Sequence, residues 1–314
     1  MPTKHVKLQR NVVQRYHRNP IISLGDLPFH ASDIHNAGAV LHKGRYVLLI
    51  TIENLQGYCS IYRAHSDDGR RIDPDPVLAP AEKGAFAQYE AEGVRDARIT
   101  HYDGTYYIVY LAQSEHGFRL ALARTKDFSS IERVALISEP DTKNGALFPR
   151  KIGGRFARLE RPREGGNIWI SHSEDLLNWG DWDVVMTPRG GYWDQDRIGL
   201  SVPPILTPCG WLVFYYGVRN MPSGPLFRLG AAFLNEEDPR EVVGRSNIPL
   251  LAPSETYERI GDVQNLVFSC GAITNTKTGK VELYYGASDS CICLGTVGLD
   301  ILEDLCRAQP KEED

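Results

Sequence analysis

The residues of this chain best suited to chemistry are a carboxylate and a guanidinium two positions apart. Asp96 and Arg98 stand in Arg95-Asp96-Ala97-Arg98-Ile99-Thr100, at the mouth of an apolar run. On an extended strand that spacing puts both side chains on one face. A carboxylate so placed can act as a general acid, and a nearby cation sets its charge. Lys143 with Asn144, Arg161 and Arg197 add positive charge. Guanidinium forks match phosphate oxygens two at a time, and lysine contributes a point charge, so these residues could cradle an anion. Asn36, Tyr216, Asp262 with Gln264, and Asp289 add polar groups suited to sugar hydroxyls. Each residue also has a plainer reading. Asp96 and Arg98 could simply pair, the isolated cations could be solvated surface charge, and Asn36 and Asp289 could be turn or cap residues.

The elements that must position these groups are hairpins. Asp103-Gly104 is a strong hairpin signal between two apolar runs, the second rich in Tyr, Ile and Val. The same form recurs around Asn36–Ile50, Ala146–Leu159, Val202–Gly217 and Cys270–Ala287. Successive copies lie roughly 50 to 70 residues apart, somewhat longer than a plain four-stranded propeller blade. A further short strand and a polar turn follow each hairpin, as in Tyr58–Ala64 before Ser66-Asp67-Asp68-Gly69. This grammar predicts an all-β chain folded as a five-bladed β-propeller. The innermost strands of a propeller start near its axis, so the polar residues at their mouths should converge on one funnel.

The expected organisation is an N-terminal arm over 1–30, a propeller over 31–300 and a tail over 301–314. The arm could cross the propeller, form an oligomer contact or fray. Residues 300–306 read as a short helix, and Lys311-Glu312-Glu313-Asp314 as a solvated end. Two long inserts, 82–92 and 180–199, should carry function. The second holds Trp182, Tyr192, Trp193, Asp194 and Asp196. Aromatics beside carboxylates suit sugar binding, although packing between blades would use the same tryptophans.

Composition narrows the function classes. The 314 residues are 42% hydrophobic and 24% charged, with a net charge of -5, which disfavours a nucleic-acid partner. No run approaches the length of a membrane span, and the first ten residues lack the apolar core of a signal peptide. The scattered Cys59, Cys209, Cys270, Cys291, Cys293 and Cys306 read as buried thiols, and the expected location is the cytoplasm. No metal site is expected.

From Asn36 to Asp289 the chain resembles glycoside hydrolase family 130, the inverting mannoside phosphorylases and related β-mannosidases, which are five-bladed β-propellers. The resemblance is carried by Asn36-Ala37-Gly38-Ala39, Asp96-Ala97-Arg98-Ile99-Thr100, Leu147-Phe148-Pro149, Arg161-Pro162, Arg197-Ile198-Gly199, Pro203-Pro204-Ile205, Gly261-Asp262-Val263 and Tyr284-Tyr285-Gly286-Ala287-Ser288-Asp289. It implies that Asp96 is the catalytic acid, passing its proton through the sugar's 3-hydroxyl to the glycosidic oxygen. It implies phosphate contacts for Lys143, Asn144, Arg161, Arg197 and Tyr216. It implies mannoside contacts for Asn36, Glu53, Arg98, Asp262 and Asp289. The chain departs from the family pattern at three places. Tyr216 stands for a histidine, Thr51 for an arginine two residues before Glu53, and Lys143 for an arginine.

The implied activity is conversion of a β-1,4- or β-1,2-linked mannoside and inorganic phosphate to α-mannose 1-phosphate and a shortened sugar. Phosphate serves as co-substrate, with no cofactor. One carboxylate then suffices. Inverting hydrolysis needs a second to activate water, whereas phosphate is already an anionic nucleophile. The alternatives are an inverting β-mannosidase using Asp262 or Asp289 as base, and a non-catalytic glycan-binding propeller. A homo-oligomer is a further possibility raised by the arm.

Overall fold

The Asp103-Gly104 pair adopts φ of 47° and 69°, and Lys43-Gly44 adopts 49° and 81°. Paired left-handed residues give a two-residue turn whose twist matches that of the strands it joins. The structure, a computed structural model, describes residues 12–307. Residues 1–11 and 308–314, with part of the expected arm and the Lys311–Asp314 end, lie outside the described residues.

Numbered along the chain, β1 (Gln14–Arg15) and β2 (Ile22–Ser23) come first. A meander of β3 (Asp33–His42), β4 (Arg45–Glu53), β5 (Cys59–Ser66) and β6 (Asp75–Leu78) follows. The next comprises β7 (Gly93–Tyr102), β8 (Thr105–Ser114), β9 (Gly117–Thr125) and β10 (Glu132–Leu136). These two meanders form one eight-stranded sheet only through a single parallel bridge, Cys59 to Gly93. A four-stranded sheet contains β11 (Lys143–Leu147), β12 (Phe156–Arg161), β13 (Ile168–Ser173) and β14 (Gly180–Met186). A five-stranded sheet has the order β15 (Arg197–Leu200), β17 (Gly210–Met221), β18 (Gly224–Leu234), β19 (Val242–Arg245), with β16 (Ile205–Thr207) also on β17.

After a short helix α1 (Thr256–Arg259) come β20 (Val267–Asn275), β21 (Lys280–Ala287), β22 (Cys291–Gly298) and helix α2 (Leu299–Arg307). The last sheet runs β20, β21, β22 and then β1, with β2 also on β22. Strands β1 and β2 are thus docked on the final hairpin. Arg15 is ion-paired with the buried Glu258 at 2.7 Å, and Asn19 donates to the Leu294 carbonyl at 2.8 Å.

The apolar core lies between neighbouring sheets. One cluster joins β4 and β5 to β7 and β8, a second joins β8 and β9 to Leu147 and Leu176, and a third joins β12 and β13 to β15 and β17. A fourth joins β17 and β18 to β20 and β21. A fifth joins the last sheet to the first through Ile273, Tyr284 and Ile292 against Ile34, Leu48 and Ile50. Strands β20, β3, β7, β11 and β15 pack in succession, each against the next, apart from the step from β15 back to β20, where β18 makes the contact. Glycine permits the closest of these approaches. A Cβ on Gly271 would stand 2.3 Å from the Ala39 amide nitrogen, and one on Gly38 would stand 2.4 Å from the Ala97 carbonyl oxygen.

The two inserts are largely absorbed by the scaffold. In the first, Glu90 is fully buried, accepts from Tyr110 at 2.6 Å and pairs with Arg133 at 2.7 Å. In the second, residues 180–186 form β14. Trp193 is buried and stacked on Tyr215, and the buried Asp194 pairs with Arg189 and Arg245. Of its tryptophans, Trp182 stays exposed. No helix among the described residues is long and apolar enough to cross a membrane.

Candidate active site

Three of the strands that pack in succession carry the same irregularity. β3, β7 and β11 each break register with their partner, between His35 and Ala37, Arg95 and Arg98, and Lys143 and Ala146. Within each break one residue adopts a left-handed conformation: Asn36 at φ 48°, Asp96 at φ 59° and Asn144 at φ 58°. In a regular strand consecutive side chains face opposite ways. A left-handed bulge residue re-aims its side chain, and Asn and Asp tolerate that conformation better than most residues. Both members of each pair, His35 with Asn36, Arg95 with Asp96, and Lys143 with Asn144, line one cavity of about 200 Å³.

Arg161, Arg197, Tyr216 and Asp289 complete its polar lining. Arg161 is the cross-strand partner of Lys143, and Arg197 opens β15. Asp289 sits with Ser288 in the left-handed turn between β21 and β22, at φ 47° and 48°. Glu53, Arg98 and Asp262 do not line this cavity. Glu53 ends β4 and accepts a long contact from Cys59 Sγ at 3.6 Å. Asp262 is exposed, between α1 and β20. Arg98 is buried beneath the cavity and donates to the backbone carbonyls of Asp96 at 2.8 Å and Ser201 at 2.7 Å. It therefore fixes the bulge rather than pairing with the Asp96 carboxylate. Thr51, fully buried, accepts the Asp96 amide at 3.0 Å. The threonine at this departure from the family pattern thus anchors the same bulge.

Hydrogen bonds inside the cavity define two groups. Asn36 Nδ2 donates to Asp96 Oδ1 at 2.7 Å. Asn144 Oδ1 accepts from the Tyr216 hydroxyl at 3.0 Å and, at the limit of hydrogen-bond length, from Arg161 Nε at 3.5 Å. Lys143 Nζ lies 4.7 Å from the centre of the Phe118 ring, and the Arg197 guanidinium 5.9 Å from that of Phe227. These aromatic faces stabilise cations that have lost water.

Charge is unevenly shared. Burial pushes the Asp96 carboxyl up, but Arg98, His35, the Asn36 hydrogen bond and Arg95 together hold it below its ordinary value. Burial pushes Asp289 up to about 6, with Asp33 and Asp96 adding to the effect and His35 and Arg95 opposing it. His35 is buried, which by itself disfavours its charge. Its bond to Asp33 Oδ2 at 3.1 Å and the charges of Asp289 and Asp96 raise it to about 9. Burial, with Arg161 and Arg197 nearby, lowers Lys143 to about 8. The cavity thus places two carboxylates of differing acidity opposite a cluster of cations. Among the described residues no group of three or more His, Cys, Asp or Glu side chains is placed to hold a metal ion.

Sequence reasoning missed His35 and Arg95. The signal was present: in three repeats a basic residue immediately precedes the Asn or Asp, in His35-Asn36, Arg95-Asp96 and Lys143-Asn144. It also missed the aromatic walls Phe118, Phe227 and Phe268.

Residues 31–308 match a family described as beta-1,4-mannooligosaccharide phosphorylase, glycoside hydrolase family 130. The beta-1,4-mannooligosaccharide phosphorylase of Ruminococcus albus is 30% identical over 312 residues, spanning 95% of this chain and 92% of that protein. The 1,2-beta-oligomannan phosphorylase of a Thermoanaerobacter species is 35% identical over 277 residues, 86% of this chain and 90% of that one. Among solved structures, the beta-1,2-mannobiose phosphorylase of Listeria innocua, in complex with beta-1,2-mannobiose, superimposes with a TM-score of 0.86. It is 28% identical and covers 95% of this chain and 99% of that one.

Proposed function

The chain belongs to glycoside hydrolase family 130, and from that membership and the cavity's charge we propose that it is an inverting β-mannoside phosphorylase. It transfers a mannosyl group from a β-1,4- or β-1,2-linked mannoside to phosphate, a glycosyl transfer in type. The products are α-mannose 1-phosphate and the shortened sugar. The observation that carries this reading is the sharing of one cavity by Asp96 with Lys143, Arg161 and Arg197.

In this mechanism Lys143, Arg161 and Arg197 hold the phosphate, with Asn144 and Tyr216 fixing the Arg161 side. An oxygen of the phosphate attacks C1 of the mannosyl ring from the face opposite the leaving oxygen, which inverts β to α. Asp96 supplies the proton that the leaving oxygen needs, relayed through the sugar's 3-hydroxyl as the family resemblance implies. Asn36 holds Asp96, and Asp289 pairs with mannosyl hydroxyls. The depressed pKa of Asp96 is no obstacle. A phosphate dianion adds negative charge to the cavity and a sugar excludes water, and both raise a neighbouring carboxyl. Arg98 acts beneath the site, through the backbone of Asp96. Glu53 and Asp262 lie outside the cavity lining and take no part in this mechanism.

The scaffold of this reading is a five-bladed β-propeller over 31–300, closed by β1 and β2. The five inter-sheet clusters, the last of which joins the final sheet to the first, support it. Six free cysteines, most of them buried, fit a reducing cytoplasm.

Hydrolysis is the competing reading, and Asp289 is the cavity's candidate base for it, being held near 6. Phosphate dependence separates the two. Sugar release from β-mannobiose should require phosphate and yield mannose 1-phosphate. Equal release in phosphate-free buffer would reject phosphorolysis. Asp96→Asn should lower kcat by about 10²–10⁴-fold, the usual contribution of a positioned acid, while phosphate binding persists.

A further inference from the structure

A second concave site lies between β10 and the β12–β14 sheet. It is a groove of about 1140 Å³ bounded on one side by the chain from Leu136 to Thr142. Its floor is Arg158 and Glu160, alternate residues of β12, only 1% and 2% exposed. They pair at 2.8 Å, and Arg158 also donates to the Ile137 carbonyl. Trp169 stands across from Glu160 on β13, and the Arg158 guanidinium lies 4.2 Å from the centre of the Trp179 ring. Trp182, on the edge strand β14, forms part of the lining and is 51% exposed.

Packing alone does not account for this floor. A buried ion pair is commonly no more stabilising than apolar residues of the same volume. Here Arg158 Nε, Glu160 Oε1 and Trp169 Nε1 are also buried without hydrogen-bond partners among the described residues. Each orphaned polar atom costs free energy unless a ligand or water satisfies it. The charges lining the groove nearly cancel, Arg158 and Arg163 against Glu139, Asp141 and Glu160, so neither an anion nor a cation is strongly favoured. A neutral molecule rich in hydroxyls, with an apolar face to lay on indole, fits both halves of the chemistry, and a pyranose ring is such a molecule.

The groove also adjoins the reaction cavity. Thr142 and Pro162 line the groove, and their chain neighbours Lys143 and Arg161, paired across β11 and β12, line the cavity. We propose that this groove is a second glycan-binding site, which takes pyranose units of a β-mannoside chain outside the reaction cavity. The ligand class rests on the mannoside reading above. The groove raises the local concentration of long chains at the cavity mouth, as a linked second site does.

The test compares β-1,4-mannohexaose with β-1,4-mannobiose, and the β-1,2-linked pair, as donors for phosphorolysis. Trp182→Ala, at an exposed edge position, should raise KM for the hexaose relative to the biose by about 5-fold, in the range of one lost aromatic contact. Trp169→Phe, which removes the indole N–H with its pyrrole ring and keeps an aromatic face, should shift the ratio the same way by less. An unchanged ratio in both variants overturns the proposal. So does a change in sedimentation of Trp182→Ala, which would make the groove a subunit contact. If wild-type protein forms no mannose 1-phosphate from any donor, the phosphorylase reading fails by itself. The groove is then judged by calorimetric titration with the hexaoses: binding weakened by Trp182→Ala supports it, and equal binding overturns it.

Discussion

Lys143 carries a charge that its burial and the neighbouring guanidinium groups work against, with Asp96 opposing them. Burial and the two neighbouring guanidinium groups bring it down to about 8, so it loses its proton just above physiological pH. An arginine at the same place would stay charged. The apparent KM for phosphate should therefore rise as pH passes about 8, and Lys143→Arg should move that rise to higher pH. Initial rates over pH 6.5–9.5 at varied phosphate decide it, and coincident profiles would remove Lys143 from the anion site. His35 makes a separate prediction. Its folded pKa of about 9 lies above its ordinary 6.5, so the native state holds more protons between those values. Its contribution to stability is full below pH 6.5 and is lost as pH rises through 9. His35→Gln should flatten the fall in stability over that window, a difference on the order of 3 kcal/mol if the whole shift is expressed. Urea unfolding at pH 6 and pH 9 measures it. The candidate cations and acids were legible in the sequence because charge is a property of residue type. His35 was legible only through its place before Asn36, because nothing in its type says that two strands and the Asp289 turn will close around it.

At the scale of the element, the bulges of β3, β7 and β11 decide which side chains meet. Each places an Asn or Asp in the left-handed region, where a β-branched residue is strained and glycine is not. This separates the backbone role of Asn144 from its side-chain role. Asn144→Gly should fold with little loss of stability, yet bind phosphate more weakly, because Arg161 and Tyr216 lose the oxygen that tethers them. Asn144→Val should lose the same contacts and in addition about 1–3 kcal/mol of stability from backbone strain. Thermal unfolding and phosphate titration of the two variants read the terms apart. Equal stability would mean that the bulge is not maintained in solution. The hairpins were legible because Asp-Gly and Lys-Gly turns advertise themselves and strand alternation is periodic. The bulges were not, since an extra residue in one strand is defined only by what its partner strand does. Arg98 shows the consequence: regular alternation set it beside the Asp96 carboxylate, whereas the bulge turns Asp96 into the cavity and leaves Arg98 beneath, bonded to its carbonyl.

At the scale of the molecule, the last sheet is built from both ends of the described chain, since β1 and β2 pair with β22. Arg15 secures that closure through the buried Glu258, which also accepts from the Tyr285 hydroxyl at 3.0 Å. The composition of residues 1–30 gave no sign of this, because two-residue strands carry no periodic pattern and their partners lie more than 250 residues away. Arg15→Ala leaves a carboxylate in a fully buried position, and breaking such a pair costs on the order of 3 kcal/mol. Phosphate at about a hundred times its Kd stabilises the folded state by about 2.7 kcal/mol. It should therefore raise the Tm of the Arg15→Ala protein by roughly the amount seen for wild type, because the cavity is intact in whatever fraction is folded. In Arg161→Ala the direction reverses: the starting Tm should lie near wild type, and phosphate should raise it little. Calorimetric scans of the three proteins with and without phosphate decide between these outcomes. A normal phosphate shift in Arg161→Ala would place the anion elsewhere and dissolve the link between the cationic wall and Asp96.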